Sequence, residues 1–305
     1  DGYWSRGLGD VYKRQEWANF RSTSSSSGWS SVGGLTTNPF DPFCTACGSS
    51  SGSGAAVGSG LVQIALGTET DGSVTCPAAM CGIVGLKPTV GLLPAEGVVP
   101  ISSSQDTVGP MTTTVLLAAH TMDAMVLNRA DTYASSLSRD ALQDLRVGVL
   151  RQHDPQPNSS EAKIYQRALK ILEEQGAILV DIEDIPGLGR IQRLEWNLLL
   201  REFKREINLY LDSTPPEVES RSLAEVMAFN RTNAEKVMPH FDQEIFELSE
   251  QTSPSDDPSL DTLARQLKRL AGAEGIDALL QKANCEILVA PTFGRPWKND
   301  LDIGD

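Results

Sequence analysis

Two runs of small hydroxyl residues hold the material for chemistry in this sequence: Cys47-Gly48-Ser49-Ser50-Ser51-Gly52-Ser53-Gly54-Ala55-Ala56 and Thr68-Glu69-Thr70-Asp71-Gly72-Ser73-Val74-Thr75-Cys76-Pro77. A serine hydroxyl is a weak nucleophile until a base takes its proton, and its reaction with an acyl group needs donors facing the oxyanion that develops. Ser73 follows Gly72, the residue type most at ease in a tight turn. A plainer reading uses the same residues, with Ser49 to Ser53 capping a helix N-terminus and Thr70 to Ser73 making a tight turn with Gly72 at positive φ. Cys44-x-x-Cys47 has the spacing of a metal or redox pair, but no second such pair and no nearby histidine completes a zinc set. Five cysteines, an odd number in a long chain, are therefore read as reduced, buried thiols.

The elements that must carry these residues are set by periodicity and punctuation. Residues 52–66 are rich in Gly, Ala and Ser and read as a tightly packed helix running into a short strand, broken at Gly67. Residues 80–102 read as short strands and turns, and 112–127 as a helix capped from Thr112 to Thr114. "LRVGVLRQ" is a strand, "SSEAKIYQRALKILEEQGA" an amphipathic helix capped by Ser159 or Ser160 and stopped by Gly176, and "ILVDIEDI" the next strand. That order is a βαβ unit with parallel strands. Residues 190–212 and 258–283 read as helices, and "EILVAPTFGRPW" as a buried strand and turn. The Ser-, Gly- and Pro-rich stretch 16–53 carries interleaved aromatics, which predicts an ordered loop lying on a core.

Composition narrows the function classes. The chain has 305 residues, 40% of them hydrophobic, enough for one large α/β domain or two smaller ones. A formal net charge of −14 argues against nucleic acid or an acidic membrane as partner, since both recruit clustered Lys and Arg. No window approaches eighteen apolar residues, so no transmembrane helix is expected. Residues 1–15 are unlike the rest of the chain and read as a non-native leader, leaving 16–305 as the domain. Compartment and oligomeric state are not legible, with the cytoplasm slightly favoured.

The motifs combine into a longer pattern. Gly48-Ser49-Ser50-Ser51-Gly52-Ser53 is followed by Gly67-Thr68-Glu69-Thr70-Asp71-Gly72-Ser73, by Pro77-Ala78, and by Gly82-Ile83-Val84-Gly85-Leu86-Lys87-Pro88-Thr89. In this order they resemble the amidase signature family over 16–305, and the flanks "EWANFRS", "QDTVGPM" and "LVAPTFGRPW" resemble its peptide-amidase-like branch. The chain is also similar to the A subunit of glutamyl-tRNA amidotransferase. The resemblance implies an α/β amidase-signature fold, a mixed central β-sheet covered by helices on both faces, of which this chain is a part incomplete at both ends. It implies hydrolysis of the C–N bond of a small-molecule amide, with no metal or organic cofactor. It makes Ser73 the acyl-accepting nucleophile and Ser49 the bridging serine, beside a cis peptide bond, that passes the proton on to a lysine. Backbone N–H groups of Thr70, Asp71, Gly72 and Ser73 would form the oxyanion hole.

Three departures and two rivals accompany that reading. Ser51 replaces a glycine common in the family loop, and Asp71 stands where many members have glycine. The family lysine belongs just upstream of "EWANF", where Val11 falls in register; Lys13 is two residues out of step and lies in the leader, and Lys87 is read as structural. The sequence-based expectation is that the chain as it stands hydrolyses no amide measurably. One rival takes Gly48-Ser49-Ser50-Ser51-Gly52 as the nucleophile elbow of an α/β-hydrolase esterase, with Ser50 as nucleophile and His153 or His240 as base, which requires a buried strand immediately before it. The other is a non-catalytic amidase-signature protein acting by assembly.

Overall fold

The computed structural model describes residues 20–126, 132–252 and 257–304. Residues 1–15, with Val11 and Lys13, lie outside the described residues. The described chain forms two compact units, one drawn from Asp1–Ser135, Leu199–Asp257 and Pro296–Asp305, the other from Ser136–Leu198 and Pro258–Arg295.

In the first unit a short hairpin, β1 (Trp29–Ser30) and β2 (Gly34–Leu35), lies in the Ser-rich stretch. Trp29 is buried and meets Phe241 edge-on, whereas Phe40 and Phe43 are exposed, so only part of the aromatic content of that loop lies on a core. Helix α1 (Ser51–Gly58) buries six of its eight residues, Ser51 to Gly54 with Ala56 and Val57. Small side chains explain this, because a helix covered on most sides has room only for Gly, Ala and Ser. Strand β3 (Ile64–Glu69) alternates half-buried and buried positions, as a strand with one face on a core must. Helix α2 (Thr75–Met80) and the short β4 (Val84–Gly85) come next, then β5 (Thr107–Thr112), buried along its whole length. β5 is central, antiparallel to both β3 and β4, with Glu69 opposite Thr107 and Ile64 opposite Thr112. Helix α3 (Val115–Met125) is capped by Thr114, whose hydroxyl accepts from the Leu117 N–H at 3.2 Å. A separate aromatic and aliphatic cluster, Phe203, Ile207, Leu211, Leu223, Met227 and Phe246, holds together the helical segments after 199.

The second unit contains the expected βαβ arrangement. β6 (Arg146–Leu150) leads into α4 (Ser160–Glu174) and then β7 (Ile178–Ile182), which pairs with β6 in parallel. Ser159 accepts from the Ala162 N–H at 3.0 Å to start α4. A third parallel strand, β8 (Ile287–Val289), lies on the other side of β6. Val149 from the sheet packs with Tyr165 and Leu169 from α4. A π-helical turn, Gly272–Asp277, interrupts the helical segment expected over 258–283.

Gly67 fixes how closely β3 lies against the Ser-rich loop. A Cβ there would stand 2.7 Å from Ser50 Oγ, 2.9 Å from Val74 Cγ2 and 3.0 Å from Met111 Sδ. Gly67→Ala is therefore predicted to destabilise the first unit by about 1–3 kcal/mol, the usual cost of overpacking. Gly189→Ala, in a helix where the added methyl meets only Arg193 at 3.8 Å, is predicted to be neutral or stabilising by up to about 1 kcal/mol. Urea unfolding of the two variants checks both signs.

Candidate active site

The candidate loop begins where β3 ends. Glu69 closes the strand, residues 70–73 turn with Gly72 at φ 82°, and α2 starts at Thr75. Glu69 is 5% exposed, and its carboxylate accepts from the N–H groups of Val74 and Thr75, each at 2.8 Å, and from the Thr75 hydroxyl at 3.4 Å. These N–H groups open α2 and have no intrahelical acceptor, so a carboxylate there satisfies them and fixes the loop's exit. Thr70 is held from two sides. Its hydroxyl donates to Asp106 Oδ1 at 2.5 Å, and its carbonyl accepts from Lys87 Nζ at 2.5 Å.

Asp106 ties this loop to the next. Its other oxygen accepts from the Ile101 and Ser102 N–H groups at 2.8 and 2.9 Å. Burial pushes the Asp106 carboxyl above its ordinary value; the Thr70 hydroxyl and the two N–H donors pull the other way, and the charge of Glu202 adds to the rise. Glu202, 2% exposed, accepts from the hydroxyls of Ser102 at 2.5 Å and Ser104 at 2.7 Å. A buried polar chain thus runs from Thr70 through Asp106 and Ser102 to Glu202, every link hydrogen-bonded as burial demands.

The second loop precedes α1. Cys47 lies at φ 58°, and the Gly48–Ser49 peptide bond is cis. Ser51 Oγ donates to the Cys47 carbonyl at 2.6 Å and Ser53 Oγ to the Leu66 carbonyl at 2.7 Å. Ser50 Oγ bonds to both the N–H and the carbonyl of Thr68, each at 3.2 Å. The Ser50 N–H donates to the Ser73 carbonyl at 3.1 Å, which brings the two loops together and makes Ser49 and Ser73 neighbours across that bond. The hydroxyls of Ser49 and Ser73 meet no hydrogen-bond partner among the described residues, unlike those of Ser50, Ser51 and Ser53. The N–H groups of Thr70, Asp71, Gly72 and Ser73 likewise find no protein acceptor among the described residues.

Several expectations change against this geometry. Cys47 and Cys76 form a disulfide with Cα atoms 5.9 Å apart, so the reading of all five cysteines as reduced thiols is corrected; Cys44, Cys81 and Cys285 are free. The partners lie 29 residues apart, one in the loop before α1 and one in the first turn of α2, segments that only the fold brings together, and local spacing around Cys44-x-x-Cys47 cannot show it. Ser50 is the N-cap of α1 but makes no side-chain cap, because its hydroxyl is used on Thr68. The elbow reading of Ser50 lacks its buried strand: before it the chain shows only the isolated bridges Thr37↔Thr45 and Cys44↔Lys298. Ser50 itself is fully buried. His240 meets the Trp29 ring edge-on, and His153 belongs to the second unit. Asp106 and Glu202 carry no signal in the sequence beyond the letter D of "QDTVGPM". Among the described residues no group of three His, Cys, Asp or Glu could hold a metal, and no helix is long and apolar enough to cross a membrane.

Comparison with known proteins bears on the whole arrangement. The family model described as Amidase matches residues 15–302. A probable amidase of Arabidopsis thaliana is 36% identical over 310 residues, covering 95% of this chain and 58% of that protein. Mandelamide hydrolase of Pseudomonas putida is 37% identical over 176 residues, 58% of this chain and 34% of its own length. The crystal structure of peptide amidase from Stenotrophomonas maltophilia superposes with a TM-score of 0.85 at 38% identity, covering 93% of this chain and 60% of that one. The chain thus spans about 60% of the solved relative and less of the others. With the family model, the sequence identity and the fold in agreement, the chain belongs to the amidase signature family.

Proposed function

We propose that this chain supplies the acyl-transfer half of an amidase that hydrolyses the C–N bond of a small amide, with Ser73 as nucleophile and Ser49 as the proton-relaying serine. The observation that carries the reading is the pair of hydroxyls without protein partners, Ser49 and Ser73, on loops joined by the Ser50 N–H to Ser73 carbonyl bond, beside a run of N–H groups with no protein acceptor among the described residues. Ser73 Oγ attacks the amide carbon, its proton passes to Ser49 Oγ, and the Ser49 proton passes to a neutral lysine amine. The oxyanion is held by N–H groups of the 70–73 loop. Collapse expels the amine, which takes a proton back along the same path, and water then releases the acyl group from Ser73 by the reverse relay.

The lysine of this scheme belongs to the family's upstream segment; Lys13 and its neighbours lie outside the described residues. Lys87 serves the loop instead, since its Nζ donates to the Thr70 carbonyl. Glu69 acts through backbone N–H groups, fixing where the loop enters α2, and Asp106 acts through the Thr70 hydroxyl, fixing Thr70. Mandelamide hydrolase and peptide amidase among the relatives, the latter also solved with the competitive inhibitor chymostatin, support an amide as the substrate class.

In protein that includes the upstream lysine segment, a fluorophosphonate probe is expected to label Ser73, and Ser73→Ala to lose both label and turnover. Ser49→Ala is expected to lower kcat by about 10²–10⁴-fold, the range for removing a positioned proton carrier. Replacing His120, His153 or His240 should leave turnover intact; loss with His153→Ala or His240→Ala would favour the Ser50 esterase. Thr70→Val and Asp106→Asn should each lower kcat with KM held, because they disturb donors used in the transition state. Their effects should be non-additive by about 0.5–3 kcal/mol in a double-mutant cycle of kcat/KM, since they share one hydrogen bond.

A further inference from the structure

We infer that Cys47 and Cys76 are positioning residues whose disulfide holds the Ser49 loop against the Ser73 loop, so that acylation of Ser73 is fast only in the oxidised protein. The inference rests on Ser73 being the nucleophile. Cys47 stands two residues before Ser49 and Cys76 three residues after Ser73, so the crosslink joins the two loops on the far flank of each serine. Both ends are themselves anchored. The Cys47 N–H donates to Thr45 Oγ1 at 2.9 Å, and the Cys76 N–H donates to the Gly72 carbonyl at 2.7 Å, within the proposed oxyanion loop. The sulfurs are buried with Met80 and against Trp297.

Without the bridge, the backbone contact between the two loops rests on the Ser50 N–H to Ser73 carbonyl bond, next to the Ser50 hydroxyl's pair of 3.2 Å bonds to Thr68. Those bonds place Ser50; nothing comparable among the described residues grips the Ser49 or Ser73 side chain. A displacement of about 1 Å between reacting groups costs on the order of 10²-fold in rate, so a crosslink at this point acts on chemistry before it acts on folding. The pairing is also protected from exchange within its own unit: burial pushes the Cys81 thiol up to about 12, and the Cys44 thiol is raised too, mainly by burial and by its bond to Asp41.

Reduction is balanced by an added dithiol such as dithiothreitol: the Cys47–Cys76 S–S bond takes two electrons and two protons to give two thiols, and the reagent closes to its cyclic disulfide. The test uses protein that includes the upstream lysine segment and reads the rate of fluorophosphonate labelling at Ser73, kcat and KM, with circular dichroism to follow folding. Reduction is expected to lower the labelling rate and kcat about tenfold or more with KM and the dichroism spectrum unchanged, and reoxidation to restore them. The double variant Cys47→Ala with Cys76→Ala should sit at the low rate and ignore the dithiol, while Cys81→Ser responds as the parent does; if the double variant does not fold, reduction of the parent carries the test alone. Thiol titration of the unfolded protein before and after reduction should rise by two more thiols in the parent than in the double variant, those of Cys47 and Cys76. No such difference, unchanged rates after reduction, or a fall that only tracks loss of the dichroism signal overturns the inference. Absence of label on Ser73 in oxidised protein that shows the two-thiol difference overturns it through its premise, and the thiol difference separates that failure from a missing bridge.

Discussion

The meeting of two loops through one backbone hydrogen bond, Ser50 N–H to the Ser73 carbonyl, is the constraint on which the site depends. The two loops flank the segment that runs from α1 to β3, one before α1 and one after β3, and this bond is the backbone contact that joins them. The small residues of α1 and Gly67 in β3 matter because they let these segments approach to the distance this bond requires. Side-chain bonds from Ser50, Ser51 and Ser53 to main-chain groups then remove three of the clustered hydroxyls from any chemical role. Ser49 and Ser73 are left on the two joined loops with their hydroxyls uncommitted to any described residue.

Around this join the charges are arranged to hold backbone. Glu69 spends its carboxylate on the first N–H groups of α2, Asp106 on Thr70 and on the turn at 101–102, and Lys87 on the Thr70 carbonyl. Burying carboxylates is unfavourable unless donors meet them, and here each buried acid has two or more. The loop is anchored at its entry through Thr70 and at its exit through Val74 and Thr75, which is what the proposed oxyanion hole requires of a preorganised site.

Part of this arrangement is legible in the sequence, and the rest is hidden for identifiable reasons. Local signals narrow the helix caps to Thr112–Thr114 and to Ser159 or Ser160, of which Thr114 and Ser159 serve, and suffice for Gly72 at positive φ and for β6, α4 and β7 as a parallel unit. These depend on residues close in sequence. The fold family is legible because ordered motifs with fixed spacing carry more information than any one serine. The Cys47–Cys76 bridge and the Asp106 to Glu202 chain are hidden, because their partners are 29 and 96 residues apart (202 − 106) and become neighbours only through packing. The plain capping role of the serine cluster fails in detail for a related reason: Ser50 finds Thr68 on the adjacent strand a better partner than its own helix.

The central claim is that the acyl group passes through Ser73. Rapid acid quench of the lysine-containing protein during turnover of an amide, with subsequent peptide mass mapping, tests it most directly. The account predicts an acyl adduct on the peptide containing Ser73 that decays as product forms; an adduct on Ser50, or steady turnover with no adduct on any serine, would contradict it.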